Sequence, residues 1–287
     1  MNPPVPSTAE TVRDDGQPPG VALRSWHAGA DAEAPNAARI YDYLLGGSHN
    51  FAADRQVAEA AAHAVPDLAE QARANRAFLR RAVHHLATTA GIRQFLDIGS
   101  GIPTVGNVHD VARRDAPDAR IVYVDNDPTA VAHGRLLLAG DPRVRVLHED
   151  LRSPQRILQH PDLHSFLDLH EPVAVLFIAV LHFIADADRP GQILAQVREA
   201  LAPSSYLVIS HGVSDKRPAD AQALTTEWTR TSTPLTLRSR AEVRALFAGL
   251  DLLDPGIVWA PEWRPDRPVL PSTAQRSANL VGVGRIR

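Results

Sequence analysis

Residues 94–127, QFLDIGSGIPTVGNVHDVARRDAPDARIVYVDND, leave little choice of architecture. A short apolar run, Phe95-Leu96-Asp97-Ile98, drops into Gly99-Ser100-Gly101. Val105, Val108, Val111 and Ala112 then recur at helical spacing, Pro117 ends that pattern, and a second apolar run, Ile121-Val122-Tyr123-Val124, closes on Asp125. Strand, glycine turn, helix, strand and terminal carboxylate is the order of a βαβ unit that holds a nucleoside at the carboxyl edge of a parallel sheet. The glycines let backbone approach a ligand closely, and Asp125 at the strand tip is placed to accept hydrogen bonds from ribose hydroxyls.

Two details bear on which nucleoside. The dinucleotide fingerprint G-x-G-x-x-G uses its third glycine for close helix–strand packing. Here that position is Thr104, and Gly106 comes two residues late. Asp97 lies two residues before the first glycine, where a dehydrogenase strand would stay apolar. A buried carboxylate is costly unless paired or hydrogen-bonded. It would repel a pyrophosphate, but attract the sulfonium and α-ammonium of S-adenosylmethionine (SAM). The competing reading of Asp97 is a structural carboxylate capping a turn. D-x-G-x-G with an acidic residue ending the next strand resembles the first motifs of the SAM-dependent methyltransferases.

The chain has 287 residues, 44% of them apolar, enough for one large α/β domain with appendages. Its net charge of −3 argues against non-specific binding to nucleic acid or acidic membranes. Lys216 is the only lysine, which reads as base composition rather than as a binding adaptation. The lack of cysteine removes disulfides, thiol nucleophiles and thiolate-bound zinc, and no metal site is expected. The N-terminus lacks a basic segment followed by an apolar core, and the longest apolar run, 172–181, falls short of the roughly 20 residues a bilayer requires. The expectation is a soluble, cytoplasmic protein.

Taken in order, residues 1–34 are rich in Pro, Ala, Asp and Gly without periodicity and read as a disordered tail. Residues 38–45 read as a helix stopped by Gly46-Gly47, residues 53–63 as a second, and 67–90 as a long third ending at Gly91. The loop between the first two carries His49, Asn50 and Phe51, so residues 35–91 are a helical extension. It is either a plain helix hairpin or a lid across the nucleoside site, with Tyr41, Tyr43 and Asn50 facing cofactor or substrate. Arg73, Arg76, Arg80 and Arg81 on the third helix read as a solvated or ion-paired face, with anion binding as the lesser reading.

Beyond the βαβ core, Asp127-Pro128 reads as an N-cap and first helical residue, 144–147 as a third strand and 173–180 as a central strand buried on both faces. A helix over 190–201 precedes a fifth strand, 206–210, that runs into His211-Gly212. Residues 217–231 look helical, Ser239 and Glu242 form a capping box, and 252–259 and 278–284 read as two final strands.

ARIYDYLLGGSHNFAADR, RANRAFLRRAV, FLDIGSGIPT, VYVDNDP and TPLTLRSRAEV resemble segments of an actinobacterial family of SAM-dependent methyltransferases of unknown substrate, over roughly residues 35–286. The resemblance implies an α/β fold: a doubly wound, seven-stranded, mostly parallel sheet whose last two strands are antiparallel, spanning 92–287. It implies SAM as cofactor, with Asp97, Gly99, Ser100, Gly101, Asp125, Asn126, Asp150, Leu151 and Ala179 around it and Asp150 at the adenine; the competing reading of Asp150 is a helix or turn cap. It also favours the lid over the plain hairpin, because Tyr41 to Asn50 carries the family's most distinctive residues.

The expected activity is methyl transfer to the oxygen or nitrogen of a small-molecule acceptor. His182 and His211, both just beyond strand ends, are the candidate bases, although a histidine chosen at random is usually surface decoration. The alternative is a SAM-binding regulatory or partner-binding protein without catalysis. A nicotinamide-dependent oxidoreductase is disfavoured by Asp97 and Thr104.

Overall fold

The computed structural model describes residues 31–103, 106–215 and 217–287. The expected tail over residues 1–30, the departure from the fingerprint at Thr104 and the helical position of Val105 lie outside the described residues.

Five parallel strands form the core of one sheet: β1 (Gln94–Ile98), β2 (Arg120–Asp125), β3 (Val144–His148), β4 (Ala174–Ile178) and β5 (Tyr206–Gly212). Their spatial order is β3-β2-β1-β4-β5, so the winding reverses beside β1, and loops that leave β1 and β4 diverge to open a crevice at the carboxyl edge. The expected strand over 252–259 is two separate two-residue strands, β6 (Asp251–Leu252) and β7 (Val258–Trp259). Pro255 lacks a ladder donor and Gly256 turns back at φ 83°, so the chain leaves the sheet between them. Both pair antiparallel with β8 (Asn279–Arg285), which pairs antiparallel with β5. The sheet therefore has eight strands rather than seven.

Eleven helices are described, the first three being α1 (Ala37–Leu44), α2 (Ala52–Ala64) and α3 (Leu68–Thr88). They are followed by α4 (Val108–Asp115), α5 (Pro128–Leu137), α6 (Pro154–Leu158), α7 (Pro161–His164) and α8 (Pro190–Glu199). The last three are α9 (Pro218–Trp228), α10 (Arg240–Ala245) and α11 (Pro271–Arg276). Ends fall where turn chemistry placed them. Asp127 accepts from the Thr129 amide at the start of α5, Ser239 and Glu242 cap α10 reciprocally, and Gly91 follows α3 at φ 72°.

Strand alternation sorts side chains into two cores. Leu96, Ile98, Val122, Val124, Val175 and Phe177 pack on one face with Ile193, Leu194 and Val197 of α8. Phe95, Ile121, Tyr123 and Leu176 pack on the other with Phe78, Leu79, Val83 and Leu86 of α3 and Val108 and Val111 of α4. Asp97, two residues beyond Phe95, therefore points to the α3 face.

A third cluster joins Ile40 and Leu44 of α1, Val57, Ala58 and Ala61 of α2, Leu68 and Ala72 at the start of α3, and Leu224 and Trp228 of α9. α3 belongs to both this cluster and the sheet, so packing does not break at the boundary expected between residues 91 and 92. The cap is pinned by Arg39, which is 3% exposed. Its Nε donates to Asp54 at 2.8 Å, Nη1 lies 3.7 Å from Asp127, and the guanidinium stacks 5.0 Å from the Phe51 ring. Nη2 also donates to the carbonyls of Asp31 and Ala34, so the last residues of the expected tail are held against α1.

Candidate active site

The carboxyl edge of the sheet and the helical cap enclose a cavity of about 460 Å³. Every parallel strand contributes to it through the residues at or just past its end: Asp97 to Ile102 at β1, Asp125 to Pro128 at β2, Glu149 to Arg152 after β3, Ile178 to Val180 and His182 to Ile184 at β4, and Gly212-Val213 at β5.

The glycine turn is built against β2. The amides of Gly99 and Ser100 both donate to the Val124 carbonyl, at 2.8 and 3.1 Å, and the Gly101 amide donates to Asp125 Oδ2 at 2.7 Å. Gly99 sits at φ 72°, and a Cβ there would come within 2.2 Å of Val180 Cγ2, so no other residue fits. Asp125 Oδ1 accepts from the Asp127 amide at 2.9 Å. Each carboxylate oxygen thus holds one backbone donor and keeps capacity for another, which suits a pair of ribose hydroxyls. Burial pushes the Asp125 carboxyl up to about 6, against the stabilising amides of Asp127 and Gly101.

Asp97 is 4% exposed, and burial pushes its carboxyl up to about 7; Arg76 partly counters this and Asp125 adds to it. A half-compensated anion facing a cavity is suited to a cationic ligand. At the far end, Asp150 accepts from the amide of Arg152 at 2.8 Å, from its guanidinium Nε at 3.0 Å, and from Asn126 Nδ2 at 3.2 Å. Burial works to raise Asp150, but the bonds from Arg152 outweigh it and hold the carboxyl low. Ser100, Asn126, Leu151 and Ala179 also line the cavity. Ala179 adopts φ 54°, a left-handed conformation unusual for alanine, with its amide on Ser210 Oγ at 2.9 Å. All nine residues expected around a cofactor line one cavity.

The two histidines separate. His182, on a single 3-10 turn after β4, lines the cavity; His211 does not. His211 is fully buried, with Nδ1 donating to the Gly212 carbonyl at 2.7 Å and Nε2 accepting from Arg238 at 2.9 Å. Both nitrogens are spent, and burial pushes its ring down to about 4. For His182, burial and then the neighbouring His211 and Arg238 drive the pKa well below the usual imidazole range. Its Nδ1 faces the Gly212 amide at 3.4 Å, which leaves the proton on Nε2.

Of the expected lid residues, Tyr41 lines the cavity. Tyr43 and Asn50 do not, because each answers to a nearer partner. Tyr43 turns outward and donates to Glu59 at 2.8 Å. Asn50 is buried and donates to Asp42 at 2.9 Å and to the Gly47 carbonyl at 3.0 Å, so it shapes the loop.

Arg76 is the lining residue most at odds with the reading of a solvated arginine face. It bonds Asn107 Oδ1 at 3.1 Å and the Gly106 carbonyl at 3.3 Å while standing near Asp97. Arg80 does behave as expected, pairing with Asp266, whereas Arg81 is partly buried and donates to the carbonyls of Ala260 and Trp263. Gln71, Ala72, Asn75, Arg76 and Leu79 line the cavity together. They recur at helical spacing, a signal that the sequence carried.

The family model described as S-adenosyl methyltransferase matches residues 25–287. Among solved structures, a protein named as a candidate methyltransferase from Thermobifida fusca is similar at 42% identity, covering 90% of this chain and 97% of that one, with a TM-score of 0.85. A DUF574 family protein from Streptomyces avermitilis is similar at 40% identity, covering 90% and 99%, with a TM-score of 0.84. No curated protein matches significantly.

Proposed function

Because the chain belongs to the S-adenosyl methyltransferase family, we propose that this cavity binds SAM along the sheet edge and presents it to a small-molecule acceptor held under the helical cap. The observation that carries the reading is Asp97, a buried carboxylate at the switch point of the sheet that lacks a full counter-charge. When bound, SAM supplies a methyl group already activated by its sulfonium. The protein's work is then to bind, align and exclude water. Asp97 attracts the cationic methionine end, Gly99 to Gly101 admit it closely, Asp125 accepts from the ribose, and Asn126, Asp150 and Leu151 meet the base. Helices α1, α3 and α9 cover the acceptor, with Tyr41 the lid residue that reaches it.

Catalysis in this reading owes more to alignment than to proton abstraction. With its proton on Nε2, His182 offers the acceptor a hydrogen-bond donor, and His211 with Arg238 holds the turn behind it. We assign positioning roles to both histidines rather than the role of base.

The test is titration calorimetry with SAM and, in parallel, NADH. SAM binds and NADH does not. Asp97 raised to about 7 must be ionised to hold the ligand, so affinity falls as pH drops through that value. Between pH 7.5 and 5.5 its ionised fraction falls from about three-quarters to a few per cent, weakening SAM at least tenfold. Over that range the ligand's amine stays mostly protonated. No SAM binding, or a pH-independent affinity, overturns the assignment.

A further inference from the structure

The cavity has two chemically distinct halves, and α3 runs the length of both. From Leu68, in the cap cluster, to Leu79, in the sheet cluster, the helix rises about 16 Å. The sheet half carries Asp97, Asp125 and Asp150. The cap half is walled by Leu44, Leu45, Phe183, Leu224, Leu235 and Leu237. Its charged neighbours are engaged within the protein. Asp42 Oδ2 accepts from the His49 amide at 2.8 Å and from Asn50 at 2.9 Å, while its Oδ1 has no hydrogen bond and is buried against Gly47, 3.9 Å from His49 Nδ1; Arg217 pairs with Asp67 at 2.8 Å and Asp220 at 2.7 Å. Among the described residues, this half offers an anionic acceptor no spare cation, and the Asp42 oxygen without a hydrogen bond is turned to Gly47.

Two uncharged polar atoms there lack hydrogen-bond partners. Asn75 is 1% exposed, and its orientation follows from its neighbour. The Tyr41 hydroxyl donates to the Ala72 carbonyl at 3.2 Å, so its oxygen must accept, and Asn75 Nδ2 is the donor at 3.0 Å. Asn75 Oδ1 is left as a buried acceptor without a hydrogen bond. Trp228 closes the same half from α9, and its indole Nε1 is a buried donor without a hydrogen bond. A buried polar group left unsatisfied is destabilising, so each is a place where a ligand gains affinity. Asn75 also adjoins Arg76, whose charge acts on Asp97, and so stands where the two halves meet.

We infer that the methyl acceptor is a neutral, largely apolar molecule that donates a hydroxyl or N–H to Asn75 Oδ1 and accepts from Trp228 Nε1. The donor hydroxyl or amine is the nucleophile, because Asn75 is where cap and cofactor halves join: its oxygen or nitrogen would take the methyl as the sulfonium S–C bond breaks to leave the neutral thioether, and the proton it directs at Asn75 would pass to solvent water. This inference rests on the proposed SAM site, and the experiment separates the two. The protein is first titrated with S-adenosylhomocysteine; failure to bind overturns the cofactor reading itself. The complex is then titrated with three probes: umbelliferone, a neutral phenolic lactone with both donor and acceptor; its methyl ether, which lacks the donor; and its ring carboxylate, which adds a charge.

Umbelliferone binds at least tenfold more tightly than either analogue. Asn75→Leu and Asn75→Ala abolish the preference for hydroxyl over ether, Trp228→Phe weakens both neutral probes several-fold, and all three variants keep their affinity for S-adenosylhomocysteine, which shows them folded. Equal binding of ether and phenol to the unmodified protein, tighter binding of the carboxylate, or no binding of any probe to a complex that holds S-adenosylhomocysteine overturns the inference.

Discussion

Asp97→Asn is expected to make the free protein more stable while costing it at least a hundredfold in SAM affinity. Asp97 in the folded protein is raised to about 7 from an ordinary 3.8. The sign follows from linkage: the folded state holds the proton more tightly, so stability is greatest below the unfolded value and declines as pH rises from about 4 to about 7. Above that the penalty is complete, on the order of 4 kcal/mol at 1.36 kcal/mol per unit. Asparagine keeps the shape without the charge, so it recovers a large part of that at neutral pH and removes this share of the decline. The same change removes the anion that the cationic end of SAM would meet. Urea unfolding across pH, with calorimetry for SAM, checks both halves. An unchanged or lower stability at pH 7.5, or SAM binding within threefold of the parent, would show that Asp97 is an ordinary structural carboxylate.

Arg39→Met should be among the most damaging single changes in the cap. It leaves Asp54, fully buried, and Asp127, 5% exposed, without their guanidinium. Breaking a buried ion pair from one side costs about 3–5 kcal/mol, because an uncompensated charge stays behind. The loss also frees residues 31–34 and the Phe51 ring, and with them the seating of α1. Since Ala37, Ala38, Tyr41 and Asp42 of α1 line the cavity, SAM affinity should fall at least tenfold in the folded fraction. Arg80→Met is the control: Arg80 and Asp266 are 50% and 69% exposed, and such pairs contribute about 1 kcal/mol or less. Denaturant midpoints should therefore separate the two variants clearly. A loss below about 1 kcal/mol for Arg39→Met would mean that the cap is held by its apolar cluster alone.

How much of this was legible beforehand depends on the range of the interaction concerned. The βαβ unit, the alternating strands, the cap at Asp127, the capping box at Ser239 and Glu242, and the stops at Gly46 and Gly91 are written locally. They rest on periods of two and 3.6 residues and on backbone conformations that glycine and proline favour. The misplaced strand over 252–259 was also a local matter, since Asp254-Pro255-Gly256 is a turn signal that the apolar flanks obscured. Asp97 was conspicuous because a carboxylate interrupts an apolar run.

The rest depended on partners far along the chain. Tyr43 and Asn50 look as suitable for a site as Tyr41, but Glu59 and Asp42 claim them first. His211 and His182 are alike in sequence, yet Arg238, from beyond α9, occupies one and leaves the other at the cavity. Arg76 shares a helix with three other arginines, and only the packing of α3 across the sheet turns it inward beside Asp97. Periodicity determines which residues share a face of a helix. Which face meets the cavity is decided by the crossing of α1, α3 and α9, whose contacts join residues too distant in sequence for any local pattern to record.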